Sequence, residues 1–213
     1  MTQSLLTKLK ERIQLLLISE ARFTHSIGLK PNHLSLIGVF AALASAYLYW
    51  SSQFQITLLP VAALCLLISG FFDALDGVSA RLHGETTVFG GFLDSLLDRY
   101  SDALILGSIF LGWLATSVLW QLIGIAAIVG SLLVSYTRAR AEAAGVKMET
   151  VGLAERAERL LIIVAASLLT LVWQDALRWS VALLAVLTNL TVLQRAVYFR
   201  KASKKKESTT PVI

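Results

Sequence analysis

Apolar runs of close to 20 residues recur along this chain, separated by short polar or charged connections. A helix of about 20 apolar residues spans the hydrocarbon core of a bilayer, and the runs predict six such helices, over 34–52, 56–80, 89–113, 118–138, 158–174 and 178–197. Ahead of them, Leu5, Leu6, Leu9, Ile13, Leu16 and Leu17 follow a three-to-four residue rhythm, with Lys8, Lys10 and Arg12 in between. This pattern predicts an amphipathic helix over 1–20 lying in the headgroup region, and it argues against a signal peptide. A basic tail, 198–213, follows the last run. With no Gly/Ser linker and no internal repeat, residues 1–213 read as a single all-α integral membrane domain, a six-helix bundle with an interfacial N-terminal helix.

Composition agrees. The hydrophobic share is 56% over 213 residues and the mean hydropathy is +0.69, beyond an ordinary soluble domain. The single cysteine, Cys65, rules out an intrachain disulfide and falls inside an apolar helix, as core packing. The charges set the orientation. Almost all of the 19 Lys and Arg lie in the N-terminal segment, the 81–90 and 138–159 connections and the tail; the connections at 51–55 and 114–117 have none, and the one near 175–178 has only Arg178. Basic loops mark the cytoplasmic side, so six crossings put both termini there, in the cell membrane. The tail, with Arg200, Lys201, Lys204, Lys205 and Lys206, meets the anionic inner leaflet, either as a topology signal or as a lipid-binding segment.

Against this apolar background stand Asp73, Asp76, Asp94, Asp98 and Asp102. A charged side chain at mid-bilayer costs roughly 2.5 kcal/mol or more. Asp73 and Asp76 are spaced i,i+3 and Asp94 and Asp98 i,i+4, so each pair shares a helix face. A turn around 82–87 brings the pairs together near the cytoplasmic ends of antiparallel neighbours. Four carboxylates so arranged suit one or two hard divalent cations, with positions left for substrate phosphates; the lack of a Cys/His cluster counts against zinc. Gly77 and Gly90 remove side chains where a ligand would approach the backbone, or permit close helix packing. Arg81 is placed to hold a phosphate. Asp102, one turn past Asp98, supports the site by pairing with Arg99 or an arginine elsewhere.

The string Asp73-x2-Asp76-Gly77-x2-Ala80-Arg81-x8-Gly90-x3-Asp94-x3-Asp98 resembles the signature of the CDP-alcohol phosphotransferase family at all eight fixed positions. The resemblance implies a membrane enzyme that displaces CMP from a CDP-linked lipid with an alcohol. It implies two Mg²⁺ or Mn²⁺ ions on Asp73, Asp76, Asp94 and Asp98, with Asp98 also as the base for the acceptor hydroxyl. It further implies a homodimer. Pro31-Asn32-His33-Leu34-Ser35 resembles the family element before the first helix, so that Asn32, His33, Leu34 and Ser35 would line the CDP pocket with Gly77, Arg81 and Thr87. Asn32 reads equally as the N-cap of the first span, and a lone interfacial His33 as a solvated side chain.

Ser135, Arg138, Arg156 and Arg195 fall in the same cytoplasmic layer as the aspartates. Some arginines there pair with Glu142, Glu155 or Glu158; those left over suit a second anion, which arginine binds bidentately. The segments 135–142 and 152–159 are similar to the subgroup of the family that makes inositol-phosphate lipids. That likeness implies that the four residues cradle the phosphate of inositol 1-phosphate. One departure is Arg138, where the subgroup often has lysine. Two other readings stand beside this one: glycerol 3-phosphate as the acceptor, giving a phosphatidylglycerol-phosphate synthase, and, from another class, a divalent-cation transporter with the aspartates along its path. Gly77 and the Arg81 spacing speak against transport, as does the position of the acidic cluster at one mouth. Nucleic acid is not an expected partner. A groove between helices distinguishes neither archaeol nor diacylglycerol tails by any motif.

Overall fold

The structure, a computed structural model, describes residues 5–148 and 151–209 and the side chains of 14–148 and 151–204. The side chains carrying the N-terminal amphipathic pattern as far as Ile13, those of Lys205 and Lys206, and residues 210–213 of the tail lie outside the described residues. Every regular element described is helical: α1 Leu5–Ser26, α2 Pro31–Ser51, α3 Leu59–Leu82, α4 Val88–Ile109, α5 Val118–Ala143, α6 Arg156–Leu169 and α7 Ala176–Thr209. A 3₁₀ turn, Ile56–Leu58, leads into α3, and a wide π-type turn, Phe110–Leu114, continues α4.

These helices cover the six expected ones with changed ends. The fifth run ends at Leu169 instead of 174, because the Thr170 hydroxyl donates to Ala166 O (2.7 Å) and accepts the amide of Leu177 (3.0 Å), closing the turn into α7. The last helix runs on through the basic residues to Thr209, so the first part of the tail is helix. Four spans, Pro31–Ser51, Ile56–Leu82, Val118–Ala143 and Ala176–Lys204, are long and apolar enough to cross a membrane. Helix α4 carries Asp94, Asp98, Arg99 and Asp102, and α6 has 14 residues, about 21 Å.

The core runs the length of the bundle through Tyr49, Leu59, Leu66, Ile105, Ile109, Leu114, Leu177 and Leu184, all nearly or fully buried. Hydroxyls inside it pair across helices: Ser45 donates to Ala62 O (2.8 Å), and the hydroxyls of Tyr49 and Ser167 share a hydrogen bond of 2.8 Å. The most extensive seams join α2 to α3 and α5 to α7. Small residues set how close they come; a Cβ on Gly130 would stand 2.2 Å from the Thr188 hydroxyl. Large apolar side chains such as Phe40, Phe54, Leu111, Val172 and Leu193 face outward, more than a soluble surface carries. Helix α1 is pinned by Ala21 against Leu34 of α2 and Leu75 of α3.

Candidate active site

The starts of α2, α4 and α6 and the ends of α3 and α5 gather at one end of the bundle, beside the later turns of α7. Helix N-termini point unpaired N–H groups and a partial positive charge into this end, an arrangement that favours anions. The turn between α3 and α4 is short because Gly84 adopts φ 68°, open to glycine at no steric cost. Thr87 then caps α4 by accepting the Gly90 amide at 2.9 Å. A Cβ on Gly90 would lie 2.9 Å from that same hydroxyl, so this glycine makes room for the cap and also lines the cavity beside Arg81. At Gly77 a Cβ would meet the Arg81 guanidinium at 3.4 Å.

Three cavities adjoin one another here. The central one is walled by Ser35, Asp73, Asp76, Asp94, Asp98 and Arg156. One carboxylate oxygen each from Asp73, Asp94 and Asp98 lies within 4.8 Å of the others. An all-oxygen, anionic set of this kind fits a divalent cation such as Mg²⁺. Asp76, 5% exposed, accepts a short hydrogen bond from the Ser35 hydroxyl and faces the same cavity. It stands outside the group of three converging oxygens.

On one side, a cavity of about 200 Å³ is lined by Asn32, Ser35, Asp76, Gly77, Arg81, Thr87 and Asp94, among others. His33 and Leu34 are not among its lining residues. Leu34 is fully buried against Ala21 and Leu75, and His33 Nδ1 accepts the Lys30 amide at 3.3 Å, closing the first turn of α2. Lys30, rather than Asn32, is the N-cap of α2; Asn32 already belongs to the helix, which leaves its side chain free to face the cavity.

On the other side, a cavity of about 230 Å³ is lined by Asp98, Asp102, Ser135, Arg138, Arg156, Arg159 and Arg195. All four residues expected to hold the acceptor's phosphate are in this wall, but differently engaged. Arg138 is 43% exposed and pairs with Glu142 at 2.9 Å. Arg195 is 2% exposed and donates to the carbonyls of Val151 (2.8 Å) and Val134. The Val151 bond, with the Leu153 amide donating to Thr191 Oγ1 at 3.1 Å, ties the segment before α6 to α7. Gly152 between them sits at φ 140°, where a Cβ would meet Thr191 Cγ2 at 2.6 Å.

Arg156 reaches back into the central cavity, bridging Asp73 and Asp98 (2.8 Å to the latter) with its Nε 3.5 Å from Asp102. Arg159, 5% exposed, donates to Asp102 and to Ala154 O. Asp102 therefore pairs with Arg159 and Arg156; Arg99 lies 3.5 Å from Asp98 instead. Arg159 carried no role of its own in the sequence. Its i,i+3 spacing from Arg156, matching the i,i+4 spacing of Asp98 and Asp102, was the available signal.

Comparison with known proteins gives the family. The family model for CDP-alcohol phosphatidyltransferases matches residues 29–193. The chain belongs to this family. As a CDP-alcohol phosphatidyltransferase it is an enzyme and, with its apolar helices, a membrane protein. It is 39% identical over 197 residues to an archaetidylinositol phosphate synthase of Pyrococcus horikoshii, covering 92% of this chain and 97% of the relative. It is 36% identical over 182 residues to a phosphatidylinositol phosphate synthase of Mycobacterium marinum, covering 82% and 75%. The crystal structure of the Mycobacterium tuberculosis phosphatidylinositol phosphate synthase with CDP-DAG bound superposes with a TM-score of 0.74 at 30% identity, covering 86% of this chain and 92% of that one. The same enzyme in complex with manganese and citrate gives 0.74 at 30% identity, covering 86% and 88%. Divalent-metal use by this transferase accords with the converging carboxylates.

Proposed function

We propose that this phosphatidyltransferase moves a phosphatidyl-type group from a CDP-linked lipid, with archaeol or diacylglycerol tails, to inositol 1-phosphate and releases CMP. The observation that carries the reading is the shared walls of the three cavities. Asp76 and Asp94 belong to both the central cavity and the one beside Arg81, while Asp98 and Arg156 belong to both the central cavity and the arginine-rich one. A reacting phosphorus at the centre has room for a nucleotide on one side and a phosphorylated alcohol on the other. The names of the relatives support the same pair of substrates.

In this reading Asn32, Ser35, Gly77, Arg81 and Thr87 bind the CDP moiety, and the N-termini of α2 and α4 favour its phosphates. Ser135, Arg138, Arg156 and Arg195 hold the acceptor's phosphate. Asp73, Asp76, Asp94 and Asp98 would hold two Mg²⁺ or Mn²⁺ ions, which when bound neutralise the diphosphate and the charge of the departing CMP. Asp98, at the wall between centre and acceptor cavity, takes the proton of the attacking hydroxyl. The acceptor oxygen bonds to the lipid-bearing phosphorus, the diphosphate P–O bond breaks, and CMP leaves with its electron pair.

The membrane arrangement follows. All six helices α2 to α7 cross the bilayer, with α4 packed on α2 and α5 and α6 on α3 and α7, and α1 lies in the interface. Both termini and the site face the cytoplasm, where basic loops concentrate. The enzyme works as a homodimer, as its family resemblance implies. The test is a CMP-release assay on purified protein, with CDP-archaeol and CDP-diacylglycerol each crossed with inositol 1-phosphate, glycerol 3-phosphate, serine and free inositol. Inositol 1-phosphate is expected to give the highest kcat/KM. Preference for glycerol 3-phosphate overturns the acceptor assignment, and failure to release CMP with any pair overturns the reaction.

A further inference from the structure

Arg156 serves two sites at once. Its guanidinium bridges Asp73 and Asp98, two of the three carboxylates whose oxygens converge, while its side chain also lines the arginine-rich cavity. Its Nε is buried without a hydrogen-bond partner, 3.5 Å from Asp102. A guanidinium seated between Asp73 and Asp98 and a divalent cation drawn to the same carboxylates repel each other and compete for the same negative charge, and a donor left unspent in a buried site favours a move to a better acceptor. The base of the side chain is fixed, because the neighbouring Arg159 is held by Asp102 and Ala154 O, so the guanidinium swings rather than the helix.

We propose that Arg156 exchanges between two positions: one across Asp73 and Asp98, where it competes with a metal for their charge, and one in the neighbouring cavity, where it holds the acceptor's phosphate. Metal entry releases the arginine toward the acceptor, and acceptor binding clears the carboxylates for the metal. The two ligands then favour each other by the same factor, as linkage requires. This rests on the reading of the converging aspartates as metal ligands.

The test measures binding without turnover. Free Mn²⁺ is followed by its paramagnetic resonance signal during titration of purified protein with Mn²⁺ alone, then with saturating inositol 1-phosphate. Arg156→Gln is expected to lower the Mn²⁺ Kd by about tenfold or more, the factor by which an occupied carboxylate pair weakens apparent binding. Arg156→Lys, which keeps the charge but cannot fork across two carboxylates, should fall in between, and it serves alone if the Gln variant fails to fold. Arg99→Gln removes a guanidinium that donates to Ser95 O and lies 3.5 Å from Asp98 without joining two carboxylates, and should leave the Kd within about twofold. Inositol 1-phosphate should tighten Mn²⁺ binding to the parent protein and lose that effect in Arg156→Gln. Unchanged or weaker Mn²⁺ binding by both Arg156 variants overturns the exchange. Equal tightening by Arg99→Gln overturns it too, since charge removal alone would then explain the effect. The underlying site reading fails separately, if Asp94→Asn binds Mn²⁺ as the parent does.

Discussion

Arg138→Ala isolates the acceptor's phosphate contact better than any other substitution in the arginine-rich cavity. The side chain is 43% exposed and its one ion pair among the described residues is the exposed i,i+4 contact with Glu142 at 2.9 Å. Such pairs contribute about 0.3–0.5 kcal/mol, so the fold barely depends on it. A hydrogen bond from a charged group to a phosphate is worth about 1.5–3 kcal/mol. Releasing Glu142 offsets part of that, leaving about 1–2.5 kcal/mol, or roughly a five- to seventyfold rise in the acceptor's KM. The KM of the CDP-lipid should hold, because Arg138 lines only the cavity away from Arg81. Glu142→Gln should act in the opposite direction, lowering the acceptor KM about twofold by freeing the guanidinium. The assay is steady-state CMP release with each substrate varied at saturation of the other, alongside thermal unfolding of both variants. An acceptor KM within twofold of the parent in Arg138→Ala, with unfolding unchanged, would refute the phosphate contact. Arg195→Ala is the contrasting case: it strips donors from Val134 O and Val151 O in a buried site, so its unfolding temperature should drop as well.

Asp73→Asn and Asp94→Asn should each lose turnover at limiting Mg²⁺, checked by CMP release across a Mg²⁺ titration; normal activity at limiting metal would remove that residue from the ligand set. Gly130→Ala drives a methyl to 2.2 Å from the Thr188 hydroxyl across the α5–α7 seam and should destabilise by about 1–3 kcal/mol, read as a lower unfolding temperature in detergent. For topology, a cysteine replacing the exposed Phe54 in a protein lacking Cys65 should react with an impermeant thiol reagent on intact cells, and one replacing Lys201 should not. The reverse labelling pattern would turn the molecule over. Ser52 is unsuitable as a reporter because it is 1% exposed and accepts the Trp113 indole N–H.

The helices and the chemistry of the centre were legible along the chain because both depend on local spacing. Apolar runs of bilayer length announce helices whatever they later pack against. Aspartates at i,i+3 and i,i+4 share a face in any helix, so the converging oxygens of Asp73, Asp94 and Asp98 required no knowledge of the fold beyond one turn between α3 and α4. The partner of each arginine was another matter, because ion pairs between helices depend on their relative rotation and depth, which no spacing encodes. Arg138 found its Glu142 one turn away, as periodicity allows. Asp102 reached across to Arg159, 57 positions along the chain, and Arg195 turned to two backbone carbonyls in place of an acid. Leu34 and His33 show the same division at closer range. Next to Asn32 and Ser35 in the chain, they point to other faces of α2, one into the contact with α1 and α3 and the other back onto its own first turn. Helix geometry separates neighbours by about 100°, and packing then decides which of those faces meets a ligand.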